Sequence, residues 1–163
     1  MKNWRLAAGA ALLLAVIAVA VLAYQPKEPK PKQPAQTVSG CGAYRDDKTV
    51  TINKTQLKTE VAQTQAQREQ GLSGRPCIEP DRGMLFVFDK PGQYAIWMKD
   101  MKFPIDIVWI NASHKTVGLE VNVAPSTYPD HFVNKDQPAL YVLELKANRA
   151  KELGVGLGTT VSF

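Results

Sequence analysis

The sequence lacks the short motifs that mark the common catalytic sites. It has no phosphate-binding loop, no dinucleotide-binding fingerprint and no Ser-His-Asp motif. Histidine occurs only as His114 and His131, in turn-like segments without metal-ligand spacing. Thioethers at Met84, Met98 and Met101 would suit copper(I), but methionines beside strands are far more often core filler. We therefore predict no metal, no cofactor and no identifiable catalytic residue.

The folded part of the chain also has little excess positive charge. The formal net charge is +5, but Lys2 and Arg5 contribute +2, residues 25–38 contribute another +2, and the remainder carries only +1. A nucleic-acid-binding domain would carry its basic residues as a patch on the folded part. We therefore expect no nucleic-acid partner.

The N-terminal region, residues 1–24, is predicted to be a membrane anchor or a signal segment. Residues 6–23 carry no polar side chain, and as a helix they would extend about 27 Å, close to the hydrocarbon thickness of a bilayer. This length favours a retained transmembrane helix, although residues 21–23 also suit a signal cleavage site. Either alternative places the rest of the chain outside the cytosol, as a membrane-anchored or secreted domain.

Residues 25–48 read as a spacer, because their first half is rich in Pro, Lys and Gln and has little apolar surface to bury. The domain itself is predicted over residues 49–163. Cys41 and Cys77 are both in the exported part, where an even number of cysteines favours a disulfide. Two free thiols are the alternative, since the distance between the two residues decides.

The domain is predicted to be mainly β, a β-rich α+β fold with a compact antiparallel or barrel-like sheet and one or two short helices. Apolar residues alternate with period two along most of it, and residues 84–88 form a continuous apolar run that suits a strand covered on both faces. Residues 65–70 and 149–153 have helix-capping patterns. The predicted core includes Leu85, Val87, Ile96, Ile105, Ile107, Val142 and Leu145.

Five segments occur in an order and spacing that match a known family. They are REQGLSGR at 68–75, GMLFVF at 83–88, WMKDM at 97–101, PIDIVWI at 104–110 and YVLEL at 141–145. Over residues 49–163 the chain resembles the bacterial and archaeal domain of unknown function 192 family. The resemblance implies a mainly antiparallel β-domain, often behind a signal or anchor, and it implies no reaction or catalytic residue.

A possible binding site follows if residues 93–99 and 104–110 form a hairpin. Trp97 would then lie opposite Asp106, with Lys99 diagonal to it on the same face. An aromatic platform beside a cation and a carboxylate suits a small polar ligand or an envelope component, with Arg75 and Glu144 as further rim residues. The simpler alternative is a salt bridge over an aromatic ring on a sheet surface.

The sequence leaves three functions open, with binding preferred to catalysis. The first is a ligand- or partner-binding module of the cell envelope. The second is an envelope hydrolase that uses Asp106 and Glu144 as its two carboxyl groups. The third is a structural or interaction domain without a small-molecule site. Glu144 is expected to face solvent on the polar side of an alternating strand, a face that it shares with Val142 and Lys146.

Overall fold

A computed structural model describes residues 36–163, and the predictions made for residues 1–35 lie outside this range. The eleven strands of the described range are β1 (Gln36–Ser39), β2 (Gly42–Arg45), β3 (Lys48–Ile52), β4 (Thr55–Ala62), β5 (Arg82–Gly92), β6 (Ala95–Trp97), β7 (Ile105–Ile110), β8 (Thr116–Val123), β9 (His131–Val133), β10 (Ala139–Lys146) and β11 (Val161–Ser162). The same range contains two α-helices, α1 (Gln65–Gln70) and α2 (Arg149–Glu152). A 3₁₀ turn spans Pro125–Thr127. Within residues 36–163, no helix is long and apolar enough to cross a membrane.

Seven strands form one curled sheet in the order β11-β3-β4-β5-β10-β7-β8. All neighbouring pairs are antiparallel except β4 and β5, which are parallel and are connected through α1. Two small antiparallel pairs, β1 with β2 and β6 with β9, lie outside this sheet. For residues 36–163, the predicted mainly antiparallel β fold with one or two short helices is therefore confirmed.

The main sheet buries apolar residues on both faces. What we call the α1 face carries Met84, Phe86, Ile107 and Val142, together with residues from β2 and β6 and the segment after α1. What we call the α2 face carries Leu85, Val108, Leu143 and Leu145, covered by α2 and the C-terminal segment. The run at 84–88 supplies both faces in alternation, as predicted. Six of the seven predicted core residues are buried, and Val87 is partly buried.

Local capping signals predicted α1 correctly. Thr64 accepts a hydrogen bond from the Gln67 backbone, and the Gln67 side chain accepts one from the Thr64 backbone, which forms a capping box. The helix ends at its C-cap, Gly71. For α2 the helix was predicted correctly but its cap was not. Asn148 has a left-handed backbone and makes no side-chain cap.

The boundary between spacer and domain differs from the prediction. The segment 25–48 was assigned to a spacer, but residues 36–45 form the β1–β2 hairpin, and Tyr44 is buried in the domain. A disulfide between Cys41 and Cys77, with Cα atoms 4.9 Å apart, attaches this hairpin to the loop before β5. The guanidinium groups of Arg75 and Arg82 lie over the Tyr44 ring, 5.2 and 4.9 Å from its centroid.

The predicted hairpin between residues 93–99 and 104–110 is wrong. Strand β6 instead pairs with β9, which places Trp97 opposite His131. Strand β7 lies inside the main sheet between β8 and β10. Trp97 and Asp106 therefore do not face each other, and the site predicted from that pairing has to be replaced.

Candidate functional site

A cavity of about 220 Å³ opens between α1, the α1 face of the sheet and strand β6. Its inner walls are apolar, whereas polar side chains of α1 line its rim. Its described lining residues are Gln65, Arg68, Glu69, Gln70, Gly71, Leu72, Ser73, Phe86, Phe88, Ala95, Ile96, Trp97, Met101 and Glu144. Leu72, Phe86, Ile96 and Glu144 are buried, so they form its inner part. A concave site with an apolar interior and polar groups that orient a ligand is the usual form of a small-molecule site.

Glu144 is the titratable residue at the inner end of this cavity. It is only 5% exposed, and its Oε2 atom has no hydrogen-bond partner among the described residues. Burial raises the pKa of the Glu144 carboxyl to about 8, because the ionised form would lose its hydration. At neutral pH the group is therefore mostly protonated, and it can donate a hydrogen bond as well as accept one.

A second buried glutamate in the same row of the sheet, Glu60, differs from Glu144 in having partners for its carboxyl. Glu60 on β4 and Glu144 on β10 both pair in register with Met84 on β5, so all three lie on the α1 face. Glu60 forms an ion pair with Arg75 and accepts a hydrogen bond from the Arg45 backbone at 3.0 Å. No cation among residues 36–163 pairs with Glu144 in this way, and burial is the one cause that raises its pKa.

The mouth of the cavity carries the polar and exposed residues. Arg68 of α1 lies there, and its Nη1 atom donates hydrogen bonds to the Gln63 and Val87 carbonyls, at 2.6 and 3.0 Å. Its guanidinium also stacks 5.2 Å from the centroid of Phe88. Arg68 is thus held in place by main-chain carbonyls and an aromatic ring, which fixes one wall of the opening.

Trp97 forms the opposite edge of the mouth and is 40% exposed. Its ring contacts Tyr128 edge-on at 6.4 Å and His131 at 5.4 Å between centroids. The Lys99 Nζ atom lies 5.8 Å from the Trp97 ring centroid. A shallower depression of about 530 Å³, which includes Lys99, adjoins the cavity and shares Glu69, Gln70, Ser73 and Trp97 with it.

Asp106, which the sequence placed at the centre of a binding site, has a structural role instead. It is fully buried, and its carboxylate accepts hydrogen bonds from three backbone N–H groups, those of Asn122, Asn148 and Ala150 at 2.7 to 2.9 Å. Two of these N–H groups belong to the start of α2. The Asp106 side chain on β7 therefore caps the N-terminus of α2, a role that the Asn148 side chain does not perform.

The two-carboxylate arrangement of a hydrolase is not formed. In the register between β10 and β7, Asp106 pairs with Leu145 and Glu144 pairs with Ile107. Because side chains alternate along a strand, Asp106 lies on the α2 face and Glu144 on the α1 face. The sheet separates the two carboxyls, so they cannot flank one bond of a substrate.

Of the five predicted site residues, the structure brings Trp97 and Glu144 together in one cavity. Lys99 lines the adjoining depression, Arg75 is paired with Glu60, and Asp106 lies across the sheet. Glu144 is buried rather than exposed to solvent, which corrects the expectation for its strand face. Sequence reasoning missed the apolar walls, such as Phe86 and Phe88. Both belong to the apolar run at 84–88. Because this run is buried on both faces of the sheet, its sequence does not show which of its residues line a cavity.

Comparisons with known proteins give a family and a fold. The family model DUF192, described as "Uncharacterized ACR", matches residues 48–163. A solved protein of Sinorhizobium meliloti 1021, described as a candidate transcription regulator, is 30% identical with a TM-score of 0.62 over 78% of this chain and 89% of its own. A protein of unknown function from Novosphingobium aromaticivorans DSM 12444 has 23% identity and a TM-score of 0.69 over 85% of this chain and 100% of its own. No curated protein matches the sequence. By the extent of the family match, the chain belongs to the domain of unknown function 192 family.

Proposed function

We propose that the domain is a small-molecule-binding module of the cell envelope, whose ligand occupies the cavity over Glu144. The observation that carries the proposal is the unpaired, buried carboxyl of Glu144 at the inner end of an apolar cavity. A buried polar group without a partner costs about 1–3 kcal/mol. A ligand that satisfies it recovers this free energy on binding.

Binding fits this site better than catalysis. Glu144 has the pKa of a general acid. The other titratable groups that line the cavity, Arg68 and Glu69, belong to α1 at its mouth, and Arg68 is engaged by carbonyls. No serine, cysteine or histidine of the described part is paired with Glu144 as a nucleophile or second base would be.

The binding proposal is tested by blocking the cavity. Ala95 is exposed on β6 and lines the opening, so Ala95→Phe should fill the mouth with little strain, since aromatic residues suit strands. Ala112→Phe, in an exposed turn that does not line the cavity, is the matched control. A fragment library is screened by thermal shift on the full chain in lipid nanodiscs. Fragments that raise the melting temperature should lose this effect in Ala95→Phe alone. Shifts that persist in Ala95→Phe would refute the proposal.

The location outside the cytosol is part of the same proposal. Its support is the apolar N-terminal run, which is long enough to anchor the chain, and the disulfide, a bond that persists mainly in oxidising compartments. Protease added to intact cells should remove the domain. Full protection of the domain, with cleavage after the cells are lysed, would refute this location.

A further inference from the structure

We infer that the ligand of the Glu144 cavity is an uncharged carbonyl compound, an apolar group whose amide, ester or ketone oxygen accepts a hydrogen bond from the Glu144 carboxyl. This inference rests on the binding function proposed above and adds the chemical class of the ligand. It can fail while the binding function stands.

The walls of the cavity determine the body of the ligand. Leu72, Phe86, Phe88, Ile96 and Met101 present carbon and sulfur surfaces to its interior. A polar group placed against such walls loses its hydration without replacement, at a cost of about 1–3 kcal/mol. The part of the ligand that enters is therefore apolar except where it reaches Glu144.

In the described part of the chain, no cationic side chain lies at the inner end of the cavity to pair with a negatively charged group. From α1, the groups that face the cavity are Arg68 and Glu69, which carry opposite charges. Arg68 already donates from Nη1 to two main-chain carbonyls. The lining residues from β5, β6 and the segment after α1 are uncharged, and Glu144 itself would repel an anion once ionised.

A positively charged group is also disfavoured. To pair with it, Glu144 would have to lose its proton, and burial holds that proton up to a pKa of about 8. The cation would in addition lose its own hydration in an apolar cavity. A neutral carbonyl avoids both costs, because the protonated carboxyl donates to it directly.

The volume suggests a small acyl group or the end of a larger molecule. A cavity of about 220 Å³ is smaller than the range of about 300–1,000 Å³ that is usual for drug-sized ligands. Any remainder of the ligand would continue past Trp97 into the adjoining depression that contains Lys99. The acyl group enters the apolar cavity, and the polar part stays at the mouth.

Three probes of nearly the same shape separate the charge classes: benzamide, benzylammonium and benzoate. Their affinities for the full chain in lipid nanodiscs are measured by ligand-observed NMR at pH 6.5, with empty nanodiscs as the blank. Benzamide should bind about tenfold more tightly than the two ions, which is the effect of one hydrogen bond near the upper end of its usual range.

Two variants of Glu144 then identify the hydrogen bond. Glu144→Gln keeps a donor of the same shape and should retain benzamide binding within about threefold, whereas Glu144→Met should weaken it about tenfold. Exposed Glu120, on β8 outside the cavity, gives the control Glu120→Gln, which should change nothing. Benzamide affinity should fall as the pH rises through about 8 in the wild type and stay constant in Glu144→Gln.

The outcomes separate the two proposals. If the chain prefers benzylammonium and loses this preference in Glu144→Gln, or if it prefers benzoate, the ligand is not an uncharged carbonyl compound. The binding function stands in either case. Failure of all three probes to bind, while Ala95-sensitive fragments are found, likewise overturns only the carbonyl class. Failure of every probe and every fragment overturns both.

Discussion

Replacement of Asp106 by Asn should destabilise the domain without affecting ligand binding. One Asp106 oxygen, Oδ1, accepts from the backbone of Asn122 and Asn148, and the other, Oδ2, accepts from Ala150. Asn keeps one oxygen, so its amide group must face a backbone N–H. One charge-assisted hydrogen bond is lost, and both the backbone N–H and the new amide NH2 that faces it are left unpaired, which together cost about 3 kcal/mol or more.

Urea unfolding measures this loss of stability. For a domain of this size, about 3 kcal/mol corresponds to a melting temperature roughly 10 °C lower. Asp136→Asn, at an exposed loop residue, is the control and should change the free energy of unfolding by less than about 0.5 kcal/mol. Amide exchange at Ala150 should also become faster. A loss below about 0.5 kcal/mol with an unchanged m-value would mean that Asp106 does not cap α2.

Three other predictions follow from the site and the disulfide. Glu144→Met should raise the free energy of unfolding by about 1–3 kcal/mol in denaturant titrations at about pH 4, where proton uptake on folding adds little, because it removes an unpaired buried polar group, and a loss would indicate a hidden partner. Burial raises the folded-state pKa of Glu144 from 4.5 to about 8, so between these pH values the folded wild type holds a proton that the unfolded chain releases. The free energy of unfolding of the wild type, measured relative to Glu144→Gln, should therefore fall by about 1.4 kcal/mol per pH unit in this range. A difference between the two proteins that does not change with pH would refute the pKa shift. Replacement of Cys41 and Cys77 by Ser should cost about 4 kcal/mol, measured by thermal unfolding, and an unchanged melting temperature would show that the bond adds nothing.

The parts of the fold that could be predicted were those specified by neighbouring residues. Helix α1 is set by Thr64, Gln67 and Gly71, all within one short segment. The burial of β5 on both faces follows from its unbroken apolar run. Both signals are local, so one sequence is enough to read them.

Strand pairing could not be predicted in the same way. The alternation of apolar residues along 105–110 indicates a strand, but it does not show which other strand pairs with it. The segment nearest in sequence, which contains β6, was predicted as the partner and pairs with β9 instead. The pairing of β6 with β9 joins residues more than 30 positions apart. It depends on long-range packing, which periodicity does not record.

The expectation for Glu144 failed for a related reason. Its strand face was read as polar because of Lys146, but Lys146 is the last residue of β10 and is exposed, whereas Val142 and Glu144 are buried beneath the elements that cover the α1 face. Periodicity shows that residues share a face. It does not show where along the strand that face becomes covered.

The contrast between Glu60 and Glu144 is the strongest argument that the cavity has a function. The two carboxyls lie in the same row of one sheet, two strands apart, and both are at most 5% exposed. The fold provides Glu60 with a guanidinium and a backbone donor, so a buried glutamate on this face can be satisfied. Glu144 faces a cavity instead, at a position where an apolar side chain would avoid the cost of an unpaired carboxyl. A residue that lowers stability where a simple replacement would raise it is characteristic of a binding or catalytic site. The missing partner of Glu144 is then best sought in a ligand rather than in the chain.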